Sequence, residues 1–584
     1  MRMANIAKLL TEHIDIWTAA DTEKKSGRGR ASGNAGSVYG VKKLRELILE
    51  LAVRGKLVPQ DASDEPASEL LKRIQAEKAK LIKVKKEKPL VLVNEDEKPF
   101  ELPNGWEWVH LPDVTDYKVG KTPSTKSSVY WTNNDSGYNW VSIADLNHDG
   151  VVTETTKKVT QQALNEVFKS EPVPSGTILM SFKLTLGKIS LLNVPAFHNE
   201  AIISIFPSKA IDKKYLFKVL PARANEGDSK SAVKGNTLNS ESIAALLLPL
   251  PPLTEQHRIV AKVDELMALC DQLEQQHSNA QEAHEALVSQ LLGTLTQSQN
   301  AAEFNANWQR IYAHFDVLFT TEASIDTLKQ TLLQLAVMGK LVPQDPNDEP
   351  ASELLKRIQA EKAKLIAEGK LKKEKPLASI TGNEKPFDLP VGWMWARFPE
   401  LGEFSRGKSK HRPRNDPSLF NPPIYPLVQT GEVARAGYLI QEYHSKYSET
   451  GLLQSRMWKK GTLCITIAAN IADSAILGFD ACFPDSVVGF SPSKLITSAK
   501  YFLYFMKTAR KDLLKFAPAT AQKNINLEIL ESVLIPIPPQ VEQHRIVAKV
   551  DALMALCDQL KTRIQQANQQ QQAIANVLVA QAVN

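Results

Sequence analysis

The sequence predicts an α+β fold with a pseudo-two-fold internal repeat: two α/β domains separated and joined by long antiparallel coiled-coil helices. Three observations carry that expectation. Residues 55–82 return as residues 339–366 with only Ala62/Pro346 and Ser63/Asn347 changed. Residues 255–273 return as 542–560 with only Glu265/Ala552 changed. Between these copies lie two inserts of equal length and unlike sequence, each followed by an apolar heptad pattern.

Taken in order, the chain opens on a frame. Its stretch 22–40 is rich in Gly, Ser, Lys and Arg and has no counterpart near 320. A composition that buries so little apolar surface predicts disorder; binding to DNA phosphate is the alternative. Residues 64–82 and 348–366 follow an acidic start with proline near the first turn, which marks a helix N-terminus. Leu70, Leu71, Ile74, Leu81 and Ile82 form its apolar face.

The repeat period is 284 at the first block and 287 from Glu97/Glu384 onward, so three residues are gained in the linker. The 287 offset holds at Trp106/Trp393 and at Pro249/Pro536, which puts both inserts at 143 residues from first Trp to first Pro. Equal length with divergent sequence predicts one fold carrying two specificities. Each insert starts with Leu-Pro-x-Gly-Trp and ends at a proline cluster, Pro249/Pro251/Pro252 or Pro536/Pro538/Pro539. Short apolar runs at 139–143, 176–181, 188–192, 201–206, 463–467 and 474–477 read as strands, and 211–224 and 498–516 as helices. A mixed or antiparallel sheet follows.

After each proline cluster the pattern turns helical. Ile259, Val263, Leu266, Cys270, Leu273, His277, Ala280, His284, Leu287 and Leu291 alternate steps of four and three. Ile546, Val550, Leu553, Cys557, Leu560, Ile564, Ala567, Gln571, Ile574 and Leu578 repeat it. A sustained period of 3.5 predicts a coiled-coil seam, with His277, His284 and Gln571 as register-setting polar interruptions. The expected segments are frame 1–103, domain 104–253, central frame 254–390, domain 391–540 and closing helix 541–584.

Composition narrows the function. Four cysteines in 584 residues make no disulfide framework. No apolar run spans a membrane and no signal peptide opens the chain, so the expected compartment is the cytoplasm. The net charge of +6 permits a nucleic-acid partner without demanding one. Residues 101–250 carry 15 Lys+Arg against 15 Asp+Glu, whereas 388–537 carry 18 against 13, so the inserts are not electrostatic copies. Near-motifs lack their context. Asn421, Pro422 and Pro423 are not followed directly by an aromatic, and no glycine-rich cofactor loop precedes them. Val119, Gly120, Lys121 and Thr122 resemble the end of a phosphate loop whose first glycine position holds Thr115. No Cys/His spacing fits zinc. The expectation is a non-catalytic binding and assembly protein.

The starts at 102–106 and 389–393, the Pro-x-Pro-Pro-x-x-Glu-Gln exits at 249–256 and 536–543, the following His257, Arg258, Ile259 and Val260, and the Leu-Ala-Val-x-Gly-Lys-Leu-Val segments complete a pattern. It closely resembles the specificity subunit of type I restriction-modification systems, in the family B branch. The resemblance implies that each insert is a target recognition domain reading one half of a split double-stranded DNA site. The frame would then be the ruler between halves, docking two methyltransferase subunits, with restriction subunits joining that core. S-adenosylmethionine, ATP and Mg²⁺ would belong to the partners and none to this chain. Half-sites one helical turn apart lie some 34–36 Å from each other. A seam of roughly 35 residues at about 1.5 Å each is long enough to set that distance.

Groove and phosphate contacts need loop donors and acceptors. In the first insert the candidates are Lys118, Lys121, Thr122 and Lys126, then Lys183 and Lys188, then Lys234. In the second they are Arg406, Lys408, Lys410, Arg412 and Arg414, with Asn470, Lys523 and Asn524. The repeated frame offers partner contacts at Glu69, Lys72, Arg73, Arg258 and their copies Glu353, Lys356, Arg357 and Arg545. Two other classes stay open: a coiled-coil adaptor for two protein ligands, and an enzyme fused to a reader, which the missing cofactor loop disfavours.

Overall fold

The computed structural model describes residues 12–19, 38–82, 93–147, 149–183, 186–209, 211–226, 243–369, 377–515 and 525–583. Most of the expected loop at 22–40, and Lys234, Lys523 and Asn524, lie outside the described residues. The chain divides into two units, residues 1–280 with 567–584 and residues 281–566. The longer helices are α1 (Tyr39–Val53), α2 (Ala67–Ile82), α3 (Lys213–Glu226), α4 (Leu253–Gln297), α5 (Ala301–Ala313), α6 (Glu322–Val337), α7 (Ala351–Ala367), α8 (Lys500–Lys515) and α9 (Gln540–Val583).

Unit 1 holds β1 (Glu107–His110), β2 (Thr115–Val119), β3 (Trp131–Thr132), β4 (Tyr138–Val141), β5 (Gly150–Val152), β6 (Lys157–Val159), β7 (Ile178–Ser181), β8 (Ile189–Leu192), β9 (Ala196–His198), β10 (Ile202–Pro207) and β11 (Leu247–Leu250). The strand and helix positions read from the apolar runs are met to within two residues. A five-stranded sheet runs β2-β10-β7-β8-β5 and a four-stranded one β3-β6-β4-β9. Both are mixed: β5 pairs β8 and β4 pairs β9 in parallel, while the remaining neighbours are antiparallel. The ribbon β1–β11 sets Trp108 opposite Pro249, so the insert closes at its own ends.

Unit 2 holds β12 (Met394–Ala396), β13 (Gly402–Arg406), β14 (Tyr425–Leu427), β15 (Leu439–Ile440), β16 (Ser445–Tyr447), β17 (Met457–Trp458), β18 (Leu463–Thr466), β19 (Ser474–Leu477), β20 (Ala481–Cys482), β21 (Val487–Pro492) and β22 (Ile535–Ile537). Its five-stranded sheet, β13-β21-β18-β19-β15, has the same topology. The second sheet, β16-β14-β20-β17, takes its fourth strand on the opposite edge from β3. In unit 1 that edge carries only the bridge Val173–Ala196, where unit 2 pairs Trp458 with Ala481.

The equal length of the inserts hides two compensating changes. Ile202 pairs Ser181 in unit 1 and Val487 pairs Thr466 in unit 2, an offset of 285 on both strands. The offset returns to 287 at Lys213 and Lys500, where α3 and α8 begin. The continuous 287 register expected through both inserts therefore fails across β7–β10. Two residues are lost before that part of the sheet and two are regained after it.

Each core is built from all its layers. In unit 1, Met180, Ile203 and Ile205 of the sheet join Leu44, Leu47 and Leu51 of α1, Tyr215 and Leu216 of α3, and Ile259, Val263 and Leu266 of α4. Each such buried side chain contributes roughly 1.5–3 kcal/mol by removal from water. Trp17 also joins, fully buried.

The heptad expectation for α4 and α9 needs a correction. Burial follows it through Ile259, Val263, Leu266, Cys270 and Leu273. Leu287 is then 49% exposed, and the buried positions are Val288, Leu292 and Leu295, one residue further round. In α9 Ile574 is likewise 46% exposed while Ala575 is buried. A straight helix drifts about 20° per heptad against a 3.5 repeat, so a long one cannot keep one seam without supercoiling. The two ends also serve different cores. Val288, Leu292 and Leu295 belong to that of unit 2, and Ala575 and Ala582 to that of unit 1.

Candidate nucleic-acid interface

The repeated motifs meet each other and set the base of each insert. The Trp106 indole N–H donates to Glu255 Oε2 at 3.0 Å, and Gln60 Nε2 donates to Glu255 Oε1 at 3.2 Å. Trp393, Gln344 and Glu542 repeat the arrangement at 2.9 and 3.1 Å. Burial pushes both carboxyls above their ordinary range, against the pull of these donors. Arg258 pairs with Asp64 and Arg545 with Asp348, each at 2.6 Å. These two arginines, expected to bind a partner, lock the loop of the frame to the start of the exit helix. The other expected partner residues lie on an open face. Glu69 pairs with Lys72 and Arg73 with Glu65, and Glu353, Lys356, Arg357 and Glu349 repeat both pairs.

The five-stranded sheets collect the expected DNA residues at one end. In unit 1, Val119 at the end of β2 pairs Ile203 near the start of β10, and Ile202 pairs Ser181 at the end of β7. The loop after β2, the β7–β8 loop and the β9–β10 turn therefore emerge together. In unit 2, Arg406 pairs Val488 and Thr466 pairs Val487, so the same three segments share the same end. Lys118, Lys121, Thr122 and Lys126 come to this end from the first segment, and Lys183 and Lys188 from the second. Asn470 lies in the β18–β19 loop, the counterpart of the β7–β8 loop. Two alanines with left-handed backbone, Ala469 (φ 63°) and Ala472 (φ 60°), flank it. Strain of that kind collects at functional loops.

Gly120 shows why the phosphate-loop resemblance fails. A Cβ there would stand 2.1 Å from the His198 carbonyl oxygen, and one on Gly407 2.3 Å from that of Phe483. Glycine lets each loop pass against the neighbouring turn; it does not wrap a phosphate.

The loops differ in what their side chains do. Lys118 and Lys126 are exposed. Lys121 is exposed too but donates to the Val167 carbonyl at 3.1 Å, and Thr122 donates to Glu200. Lys183 leans on the Phe182 ring, and Lys188 braces the Ile143 carbonyl at 3.1 Å. In unit 2 the Arg412 guanidinium donates to the carbonyls of Ser409 and His411 at 2.8 Å. Arg414 pairs with Asp485 at 2.9 Å, and Arg406 Nε donates to the Asp485 carbonyl at 2.9 Å. Gln454 Oε1 accepts the backbone N–H groups of Lys410 and His411 at 2.7 and 3.2 Å. The loop is thus braced from inside, with the side chains of Lys408 and Lys410 exposed on it.

Sequence reasoning missed Glu200, His198 and Asp485 at this end. Glu200 and Asp485 each stand two residues before the strand that starts at Ile202 or Val487, and the 287 register would have aligned Glu200 with Val487 instead. His198 is 3% exposed, and burial lowers its pKa to about 4. Among the described residues no group of three or more His, Cys, Asp or Glu is placed to hold a metal, and no helix is long and apolar enough to cross a membrane.

The sequence is similar to known proteins along nearly its whole length. The family model for the type I restriction modification DNA specificity domain matches residues 103–282 and 390–569. The type I restriction enzyme EcoEI specificity subunit of Escherichia coli is 39% identical over 614 residues, covering 99% of this chain and 100% of that one. The EcoAI specificity subunit of the same organism is 37% identical over 622 residues, at 99% and 100%. Among solved structures, the HsdS subunit from Thermoanaerobacter tengcongensis superposes with a TM-score of 0.37 at 17% identity, covering 83% of this chain and 98% of that one.

Proposed function

The chain belongs to the type I restriction-modification specificity-subunit family, and on that premise we propose that each unit reads one half of an asymmetric, bipartite DNA site. One observation carries the reading: two units whose five-stranded sheets share one topology present unlike loops from the same end of that sheet. Lys408, Lys410, Lys118 and Lys126 supply phosphate contacts, while Arg406, Arg412, Arg414 and Asn470 come within the same groove-facing set. The bases are read by donors and acceptors on these loops, since phosphate contacts position the protein but carry no sequence information. Lys234, Lys523 and Asn524 extend the set by their place in the sequence alone.

The frame docks two copies of a methyltransferase subunit, and restriction subunits join that core. The exposed, duplicated faces around Glu69, Lys72 and Arg73 and around Glu353, Lys356 and Arg357 support one partner bound twice. Arg258 and Arg545 act behind these faces, through Asp64 and Asp348. The chain is non-catalytic: S-adenosylmethionine, ATP and Mg²⁺ serve the partner subunits, in the cytoplasm. α4 begins in unit 1 and ends in unit 2, and α9 does the reverse. That order supports an antiparallel pair of helices as the ruler between half-sites.

The test is to co-express the chain with its methyltransferase partner and map methylated adenines. A two-part, non-palindromic motif is expected. Exchanging residues 104–250 for another recognition domain should alter one half of it only. A single contiguous palindrome, or a change in both halves, would refute the proposal.

A further inference from the structure

A carboxylate at a surface meant for DNA opposes the approach of phosphate. Yet both units place one there, at the same position. Glu200 stands two residues before Ile202, the first residue of β10, and Asp485 two residues before Val487, the first of β21. Paired strands match these positions at an offset of 285. The surrounding sequences are unlike: His-Asn-Glu-Ala in one unit, Phe-Pro-Asp-Ser in the other.

Each acid holds the loop that follows the first strand of its sheet. Glu200 accepts the Thr122 hydroxyl. Both oxygens of Asp485 accept Arg414 Nη2, at 3.2 and 2.9 Å, and the backbone carbonyl of Asp485 accepts Arg406 Nε at 2.9 Å. Arg406 is the last residue of β13 and Arg414 lies eight residues on. One turn residue thus ties both ends of the loop that carries Lys408 and Lys410. Backbone bonds make the same junction: Gly120 N–H donates to the Ile202 carbonyl at 3.2 Å and Gly407 N–H to the Val487 carbonyl at 2.8 Å.

We infer that Glu200 and Asp485 are positioning residues for base readout, each setting the recognition loop of its own unit at the DNA-facing end of the sheet. The inference rests on the DNA-reading assignment above. An anchored guanidinium loses less freedom on binding than a loose one, and geometry decides whether a donor fork meets a base edge. The carboxylate's repulsion of phosphate is the same for every sequence, while its hold on the loop sets the geometry on which discrimination depends.

The experiment uses the full chain in complex with its methyltransferase partner. Adenine methylation is mapped for the unaltered chain and for Asp485→Asn, Asp485→Glu, Arg414→Ala, the Asp485→Asn/Arg414→Ala double variant and Glu200→Ala. Binding to matched and mismatched duplexes is titrated over a range of salt. Asp485→Asn should relax one half of the motif, lowering discrimination there by about tenfold. Glu200→Ala, which leaves the Thr122 hydroxyl without this acceptor, should relax the other half. Arg414→Ala should reproduce Asp485→Asn, the double variant should be no worse than either, and Asp485→Glu should restore much of the discrimination. The inference is overturned if Asp485→Asn tightens binding to all duplexes with the motif unchanged, since the acid then acts by repulsion alone. It is equally overturned if Arg414→Ala leaves the motif intact while Asp485→Asn relaxes it, since Asp485 then reads a base directly. Absence of any two-part motif with the unaltered chain overturns the DNA-reading assignment, and this inference with it.

Discussion

Trp106 and Glu255 lie 149 residues apart in sequence, and their side chains meet at 3.0 Å in a buried hydrogen bond. Trp393 and Glu542 repeat the meeting at 2.9 Å over the same separation. The start of each insert is thereby bonded to the helix that leaves it. Glu255→Ala would strand a buried indole N–H and leave the Gln60 amide with only the Gly55 carbonyl, at 2.6 Å, as its acceptor. An unsatisfied buried donor costs about 1–3 kcal/mol. Denaturant titration of the variant should show the unit 1 transition lowered by that amount, with the unit 2 transition unmoved. Glu542→Ala should do the reverse.

Acid should weaken unit 1 through His198. Its folded-state pKa of about 4 lies below the ordinary 6.5 because burial disfavours the charged ring. The unfolded chain therefore takes up a proton between pH 6.5 and 4 that the folded one refuses. Stability from this group is complete above pH 6.5 and is lost as pH falls toward 4, by up to roughly 3 kcal/mol. Phe483 fills the equivalent place in unit 2, which lacks this liability. His198→Phe should flatten the acid limb of unit 1 in urea midpoints measured at pH 7 and 4.5. An acid limb of unaltered steepness would show that other groups cause it.

The cations of the 406–414 loop should separate into two kinds. Removing Lys408 or Lys410 should weaken binding to all duplexes alike and reduce the salt slope of log K by about one each. Arg412 is held by two carbonyls of its own loop. Arg412→Ala should instead reduce the difference between cognate and non-cognate duplexes. Equal loss on every sequence would place Arg412 among the phosphate contacts.

All four cysteines are free and buried, and burial pushes the Cys270 thiol up to about 11. A thiol so far from ionising is a poor nucleophile. Native protein at pH 7.5 should react with iodoacetamide at these four positions far more slowly than protein unfolded in urea, as read by mass spectrometry.

Much of the architecture was legible because duplication is visible without any knowledge of packing. Leu-Pro-x-Gly-Trp and Pro-x-Pro-Pro-x-x-Glu-Gln stood out as repeated words, and Trp106 with Glu255 shows why: each pair is one bond written at two places. The apolar runs gave the strands because both faces of β7 and β10 are buried at their centres. The site was less legible. Glu200 and Asp485 escaped notice because compensating changes of two residues shift the middle of the sheet out of the 287 register. The arginines at 406, 412 and 414 stood out by charge, but charge alone does not tell a loop brace from a free donor. Leu287 and Ile574 fit a heptad yet face solvent, since a 3.6-residue helix leaves a 3.5-residue seam as it lengthens.

Ala575 and Ala582 are core residues of unit 1, although they are made some three hundred residues after the rest of it. Lys56 donates to the Val583 carbonyl at 2.7 Å, and Tyr39 to Asn576 at 2.9 Å. The core of unit 1 is therefore completed by residues that follow all of unit 2 in the sequence, so deleting residues 567–583 should destabilise unit 1 although its recognition loops are untouched.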